Sequence, residues 1–272
     1  MRVRVDLKKS LEENAENYFK LAKKSRKKLL GATEAHAQAQ QQATKARTQA
    51  AKQAAHAHKQ KPEQRWYHKY RWSKTRNGHL LVAGQNASAN EALIKTHAQE
   101  EDLVFHTDMS GSPFTLLKPN TDQEVTDEDK EDAAQLTAAY SAAWKRGLAS
   151  LEVFYVKPSQ VTKEAQSGEY LSKGSFMIRG ETTYLQPIVE LGVGVIVREG
   201  YHEEVFVGSR QACEKHTAAH AILAPGSEKT SDVAKQLRAR FAGDLDAYVR
   251  AIPAGGSRVA ERGMPLNKKR TE

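Results

Sequence analysis

The chain is short of cysteine, of long apolar runs and of any signal-like hydrophobic segment. Its single cysteine, Cys213, excludes an internal disulfide framework and fits a reducing compartment. The longest apolar stretch, residues 188–197, is interrupted by Glu190 and falls well short of the roughly 20 residues that a membrane span requires. The N-terminus has no hydrophobic signal core. We therefore expect a cytoplasmic protein that does not enter the membrane.

Proline is missing from residues 10–61, and the only glycine there is Gly31. Ser10 is placed to cap a helix, and from Leu11 to Ala50 small or apolar residues recur mostly at the four-and-three steps of a coiled-coil seam. Large hydrophobic residues are absent from Gly31 to Arg65, so alanine propensity must hold the second half of this segment helical. The sequence predicts a long helical arm, with a low-complexity linker as the alternative.

Acidic residues are scarce in the same N-terminal quarter. Residues 1–65 hold 16 Lys and Arg against 6 Asp and Glu, a net charge of +10, whereas the whole chain carries +9. A basic arm on a near-neutral body suits binding to a polyanion, because each neutralised phosphate releases counterions. The alternative is a helix that carries charge only for solubility.

Residues 66–118 combine aromatic, basic and turn-forming residues. Aromatic and cationic side chains alternate over residues 66–72, which we interpret as a strand with one aromatic and one cationic face. The pair Asn77-Gly78 predicts a type I′ turn, and therefore a hairpin with the apolar run that follows. Ser88 and Glu91 have the spacing of a capping box at the start of a short helix, for which Asn86 is the alternative cap. Further strands are predicted at residues 79–83, 103–107 and 114–118.

The second half of the chain alternates between helix and strand patterns. Thr126 is placed to cap a single helix that ends before Gly147, with acids in its first turn and cations in its last. Residues from 251 onwards are expected to be irregular and to end in a mobile basic tip. Helices are also predicted at residues 209–216 and 230–241, and strands at residues 151–156, 175–179, 193–197, 205–207 and 219–223.

These patterns predict the α+β class. A mixed sheet with flanking helices is expected, preceded by a long N-terminal coiled-coil helix and followed by a small α/β extension. The predicted domains are a basic arm at residues 1–62, an α+β domain at 63–186, the extension at 187–262 and a flexible tail at 263–272.

A stretch without acids predicts a nucleic-acid surface. Between Glu63 and Glu91 there is no acidic residue, while aromatic and cationic side chains are interleaved. Rings stack on bases and guanidinium groups bind phosphate. The alternative is that the tryptophans are core and the cations only the solvated side of the sheet. The candidates are Arg65, Trp66, Tyr67, Lys69, Arg71, Trp72, Lys74 and Arg76, with Lys173, Ser175 and Arg179 beside a glycine-bounded segment.

Catalysis is not predicted. His106 and Asp108 are two residues apart at the end of a predicted strand, a spacing that suits proton transfer or a structural hydrogen bond. No nucleophile or second acid accompanies them at a recognisable spacing. Cys213, His216 and His220 have no evident fourth ligand, so neither a metal nor another cofactor is expected.

Three sequence blocks, in order, resemble a known family. They are WYHKYRW, the stretch from GQNASANEALIK to FHTDMSGSP, and GEYLSKGSFMIRG. Together they are similar to the NFACT-R domain, an RNA-binding module formerly described as a domain of unknown function. Residues 5–32 resemble the helix that often precedes it, and the C-terminal run resembles free-standing archaeal members. The matching motif residues are Asn90, Glu91, His106, Asp108, Gly111, Gly168, Tyr170, Gly174, Phe176 and Met177.

The resemblance implies RNA binding. In large multidomain members the module belongs to a ribosome-quality-control factor that binds the large ribosomal subunit and tRNA, so rRNA, tRNA and that subunit are the expected partners. At 272 residues we expect no room for the N-terminal domain on which tail elongation depends. Two other functions stay open. They are a coiled-coil adaptor, which pairs its arm with a partner or a second copy, and a nucleic-acid-processing enzyme that uses His106 and Asp108.

Overall fold

The computed structural model describes residues 4–8, 10–57, 65–121, 123–164, 171–198 and 202–262. These residues belong to two units, 1–62 and 63–272, and each is described by itself. In the described ranges no helix combines the length and apolarity needed to cross a membrane. Gly168, Tyr170 and the predicted tail at 263–272 lie outside them.

The first unit is one long helix, α1, at Leu11–Ala57. Ser10 and Glu13 cap it reciprocally: the Ser10 hydroxyl accepts from the Glu13 amide at 3.1 Å, and the Glu13 carboxylate accepts from the Ser10 amide at 2.9 Å. Two leucines of the predicted seam are largely exposed, Leu11 at 82% and Leu29 at 65%. The predicted helix is confirmed, and pairing through its seam stays a prediction.

The second unit contains two main antiparallel sheets. The first has six strands in the order β1-β2-β4-β3-β5-β8, and the second has four in the order β10-β9-β11-β12. A short ladder joins β6 to β7. The strands are β1 Arg71–Lys74, β2 Leu80–Ala83, β3 Leu103–His106, β4 Thr115–Lys118, β5 Val153–Val156, β6 Val161–Thr162, β7 Met177–Ile178, β8 Thr183–Leu185, β9 Leu191–Arg198, β10 His202–Gly208, β11 Ala219–Glu228 and β12 Ser257–Arg262.

Helices cover both of these sheets, which confirms the α+β class. Along the strands of the first sheet, alternate residues face opposite sides. Leu81 and Phe105 pack with α3, α4 and the second sheet, whereas Val82 and Val104 pack with α2. Residues of both sheets belong to the same hydrophobic core. The domain boundary predicted at residue 187 stays a prediction. The helices are α2 Ala87–His97, α3 Asp127–Ala139, α4 Ala142–Arg146, α5 Arg210–His216, α6 Thr230–Phe241 and α7 Leu245–Ala251.

Two sequence predictions around the first hairpin are wrong in detail. Residues 66–69 form a 3₁₀ helix rather than a strand, because Tyr67 and Tyr70, three residues apart, both enter the core beside α2. The hairpin itself is confirmed, but its turn is not type I′. Only Gly78 has positive φ, at 95°, and the Thr75 amide bonds the His79 carbonyl at 2.9 Å, as in a longer loop with a glycine bulge.

Two predictions in the second half also need correction. The helix predicted to run to Gly147 is divided, because the Ser141 hydroxyl accepts from the Ala143 amide at 3.1 Å and starts α4. The segment predicted to be irregular contains β12, which pairs with β11. Its two adjacent glycines carry no strand signal, and the neighbouring helix α7 was not predicted at all.

Asp132 joins three parts of the second unit. It lies on α3 with its side chain 1% exposed, and it accepts from the Arg76 guanidinium at 2.8 Å and the Arg76 amide at 2.7 Å. It also accepts from the Ser209 hydroxyl at 2.6 Å, and Ser209 caps α5. A buried carboxylate needs such donors to offset its lost hydration. The hairpin loop, α3 and the start of α5 are therefore fixed to one another.

Replacing Asp132 with asparagine should lower the free energy of unfolding by about 2–4 kcal/mol, because the Arg76 guanidinium loses its buried anion while the side-chain volume is kept. Urea unfolding measures the change. Glu131→Gln is the matched control, because Glu131 approaches the same guanidinium at 3.6 Å but is 63% exposed. It should cost less than about 1 kcal/mol. Equal losses in the two variants would contradict a special role for Asp132.

Candidate nucleic-acid interface

A cleft opens where the N-terminus of α2, the loop at residues 107–113 and the segment at residues 173–176 meet. Its volume is about 520 Å³. It brings together nine residues that the sequence singled out for nucleic-acid binding or as family motifs. These are Arg71, Asn90, His106, Asp108, Gly111, Lys173, Gly174, Ser175 and Phe176.

Asn90 holds one wall of the cleft. Its carbonyl oxygen accepts from the Phe114 amide at 3.2 Å, and its amide nitrogen lies 3.5 Å from the Ser112 carbonyl. The side chain lies directly over Gly84, where an added Cβ would come within 1.9 Å of the Asn90 Oδ1. The loop at 107–113 is closed internally by a hydrogen bond between the Thr107 and Ser112 hydroxyls. Asn90 is thus a structural residue that fixes the loop against α2.

Glu91 and Gly174 hold the opposite wall. The Glu91 carboxylate accepts from the Gly174 amide at 3.1 Å and pairs with Lys95 at 2.8 Å and Lys163 at 3.2 Å. The hydrogen bonds from Lys95, from the Gly174 amide and from Lys163 lower the pKa of Glu91 to about 2. The capping box predicted for Glu91 is therefore wrong, because Asn86 caps α2 through the Ala89 amide.

His106 and Asp108 are both in the cleft, but they bind different partners. His106 Nδ1 donates to the Pro113 carbonyl at 2.9 Å, so Nε2 is the unprotonated nitrogen when the ring is neutral. Burial lowers the pKa of His106, and the Pro113 bond only partly opposes this. Asp108 is exposed and accepts from the Tyr184 hydroxyl at 3.2 Å. No hydrogen bond between His106 and Asp108 occurs in the described structure, which favours the loop-fixing interpretation for His106.

The aromatic candidates Trp66, Tyr67 and Trp72 do not line the cleft. Trp66 is partly exposed and stacks on His97, with the ring centroids 4.0 Å apart. Tyr67 is buried, and half-buried Trp72 meets Phe206 of the second sheet edge-on at 6.4 Å. Trp66 is therefore the aromatic candidate with the most exposed ring.

The remaining cations are divided between solvent and internal partners. Arg76 is engaged by Asp132, and Arg179 pairs with Glu164 at 3.4 Å. Contact of Arg76 and Arg179 with RNA stays a prediction, and so does RNA contact by the other candidate residues. Outside the cleft lie Arg65, Lys69, Lys74, Arg76 and Arg179, and Met177 lies in β7.

Sequence reasoning missed several cleft residues. Tyr140 lies in the helix predicted after Thr126 and was not a site candidate, yet it lies under the Arg71 guanidinium with 4.4 Å between the charged carbon and the ring centroid. Phe114 was expected only as a strand residue, yet its ring stacks on His106 at 3.8 Å. Their aromatic character was visible, but nothing in the local pattern indicates a position beside the segment at residues 173–176.

Comparison with known proteins assigns this region. The model of the NFACT protein RNA binding domain matches residues 69–180. The chain contains an NFACT RNA-binding domain. The resemblance carried by the three sequence blocks is therefore confirmed, and the cleft is built from residues within this domain.

The relatives of this NFACT-domain protein are longer chains. The archaeal Rqc2 homolog aRqcH of Methanocaldococcus jannaschii is 36% identical over 204 residues, which cover 74% of this chain and 30% of that protein. The human ribosome quality control complex subunit NEMF is 31% identical over 122 residues, covering 45% and 11%. The chain therefore spans less than a third of the length of these two relatives. A solved structure of the C-terminal part of the fibronectin/fibrinogen-binding protein of Streptococcus suis is 24% identical, with a TM-score of 0.37 and 48% of each chain covered.

Replacing Gly174 with alanine should detach the wall at residues 173–176. Its φ is +79°, and an added Cβ would come within 2.6 Å of the backbone of Ala87. Hydrogen–deuterium exchange should therefore rise over residues 171–178 and at the start of α2. Gly111→Ala is the matched control, since φ is +86° and the nearest atom is 3.6 Å away. It carries the same conformational cost of about 1–2 kcal/mol without the clash. Unchanged exchange over 171–178 in Gly174→Ala would contradict this contact.

Proposed function

We propose that this protein binds RNA and acts in ribosome quality control. The observation that carries the proposal is the convergence of Arg71 and Lys173 in one cleft of an NFACT RNA-binding domain. Two cations that are far apart in the sequence supply the charge that a sugar-phosphate backbone needs. The human relative is named as a subunit of the ribosome quality control complex, and the archaeal relative is named as an Rqc2 homolog.

The basic arm supports the same function. Between residues 20 and 30 of α1, every side chain is exposed, and six of them are Lys or Arg. The N-terminal region is the source of the positive net charge, because residues 66–272 hold 26 Lys and Arg against 27 Asp and Glu. Electrostatic contacts of this kind bind phosphates with little sequence preference, so the arm would add affinity while the domain adds selectivity.

The specific partners are inferred from the relatives. We infer that the RNA is ribosomal or transfer RNA, that the protein associates with the large ribosomal subunit, and that it works in the cytoplasm. The names of the domain and of the relatives describe binding and quality control rather than a catalysed reaction. A non-enzymatic role is therefore favoured. Among the described residues, no three His, Cys, Asp or Glu side chains are grouped to hold a metal ion.

A second function has one observation in its favour. The exposed leucines of α1, among them Leu11 and Leu29, offer an apolar stripe that a second helix would cover. A coiled-coil adaptor is therefore the alternative. RNA binding is preferred because the domain match and the cleft both favour it. The exposed leucines of α1 indicate only that a second helix could pack against it.

RNA affinity should fall steeply with salt, and removal of arm charge should make the fall less steep. Replacing Lys23, Lys24, Lys27 and Lys28 with glutamine should reduce the slope of log K against log salt by about 0.7 for each phosphate that the arm no longer neutralises. Fluorescence anisotropy with a labelled single-stranded RNA measures the slope.

Gln41→Ala with Gln42→Ala is the control, because it changes exposed residues of the same helix without changing charge. It should leave the slope at its original value. Failure of the unaltered protein to bind RNA in dilute salt would contradict the proposed function. An equal slope for the lysine variant and the control would contradict the role of the arm.

A further inference from the structure

Arg71 is a half-buried cation without an internal anion. Its guanidinium lies over the Tyr140 ring, and its Nη1 is 3.4 Å from the Gly84 carbonyl oxygen, a distance too long for a strong bond. Its Nε is buried without a hydrogen-bond partner, and no carboxylate of the described residues lies within ion-pair distance. A charge that is partly removed from water interacts more strongly with an anion, so an anionic ligand would be stabilised at this position.

Other groups around the cleft add positive charge or hydrogen-bond donors. Lys173 is exposed at the rim, and Ser175 adds a hydroxyl beside it. Ala87, the first residue of α2, also lines the cleft, so the positive end of the helix faces the same space. Among the described residues that line the cleft, the one acid is Asp108, which is exposed and accepts from the Tyr184 hydroxyl. The described part of the lining therefore carries one more cation than anion.

The size of the cleft limits what enters it. A volume of about 520 Å³ lies within the range of small-molecule sites, which is about 300–1,000 Å³. One nucleotide is accommodated by such a space, whereas a duplex binds across an open surface. The apolar wall at Phe114 and Phe176, which meet edge-on at 5.2 Å, is close to the cationic groups. A site that combines an apolar wall with cations suits a nucleotide, which has a base and a phosphate, better than a free inorganic anion.

We propose that this cleft is a phosphate-binding site for single-stranded RNA, in which Arg71 and Lys173 hold the phosphate group of one nucleotide. The inference rests on the proposed function and makes it more specific. It assigns the RNA contact that selects the ligand to the cleft, instead of to the basic arm or to the aromatic and cationic residues at 65–76. Arg71 acts through its fixed position over Tyr140, and Lys173 closes over the phosphate from the rim.

The test uses the full chain and a short oligouridine labelled at its 3′ end, with binding measured by anisotropy at one near-physiological salt concentration. Arg71→Gln and Lys173→Gln should each weaken binding about tenfold, the loss expected for one charge-assisted hydrogen bond. Lys235→Gln is the matched control, because it removes one exposed cation from α6, away from the cleft. Its affinity should stay within about twofold of the original.

Two sources of phosphate are separated by using the oligouridine with and without a 5′-phosphate. If the 5′-phosphate is the ligand, its removal weakens binding as much as Arg71→Gln and has no further effect in that variant. If an internal diester is the ligand, removal of the 5′-phosphate leaves the affinity unchanged, while Arg71→Gln and Lys173→Gln still bind more weakly. Either result supports the site.

The inference is overturned if Arg71→Gln and Lys173→Gln bind within twofold of the unaltered protein while RNA binding persists, since the proposed function then survives without the cleft. Failure of the unaltered protein to bind the probe in dilute salt would remove the proposed function instead. Arg71 packs on Tyr140, so its variant must show an unchanged circular dichroism spectrum. Lys173 is exposed, and its variant gives an independent result if Arg71→Gln does not fold.

Discussion

The position of the buried Asp132 carboxylate is the constraint on which the second unit depends. It takes donors from Arg76 in the first hairpin and from Ser209 at the start of α5, so one side chain links both sheets through α3. His216 adds a second tie by bonding the Thr75 carbonyl at 2.7 Å. Because the hairpin is held in this way, β1 has a fixed position, and Arg71 at its start is directed over Tyr140.

The cleft follows from contacts that no single segment contains. Asn90 fixes the loop before Phe114, and Glu91, its neighbour on α2, fixes Gly174. One turn of α2 therefore holds both walls. Close approach at Gly174 leaves no room for a side chain, and this keeps Lys173 in the lining of the cleft that Arg71 also lines. On the proposed function, RNA binding would depend on packing, since Arg71 and Lys173 line one cleft only when the domain is folded.

Local patterns in the sequence predicted most elements but not the cleft. The caps at Ser10 and Thr126 and the strands predicted between residues 193 and 223 follow from residue types that act within a few positions, and all of these appear in the structure. The 3₁₀ helix at 66–69 did not follow, because its form depends on where α2 lies. Arg71 and Lys173 were both candidates, but their presence in one cleft depends on strand order and on the Glu91–Gly174 contact, which local periodicity does not encode.

The most direct test of the account is to locate the residues that touch RNA. Ultraviolet crosslinking of the full chain to RNA, followed by mass spectrometry of the attached peptides, gives their positions. Crosslinks should fall in peptides that contain the cleft segments, at residues 84–87, 106–114 and 173–176, with further ones along α1. Crosslinks confined to α1, with none in residues 65–262, would contradict the claim that the folded domain selects the RNA.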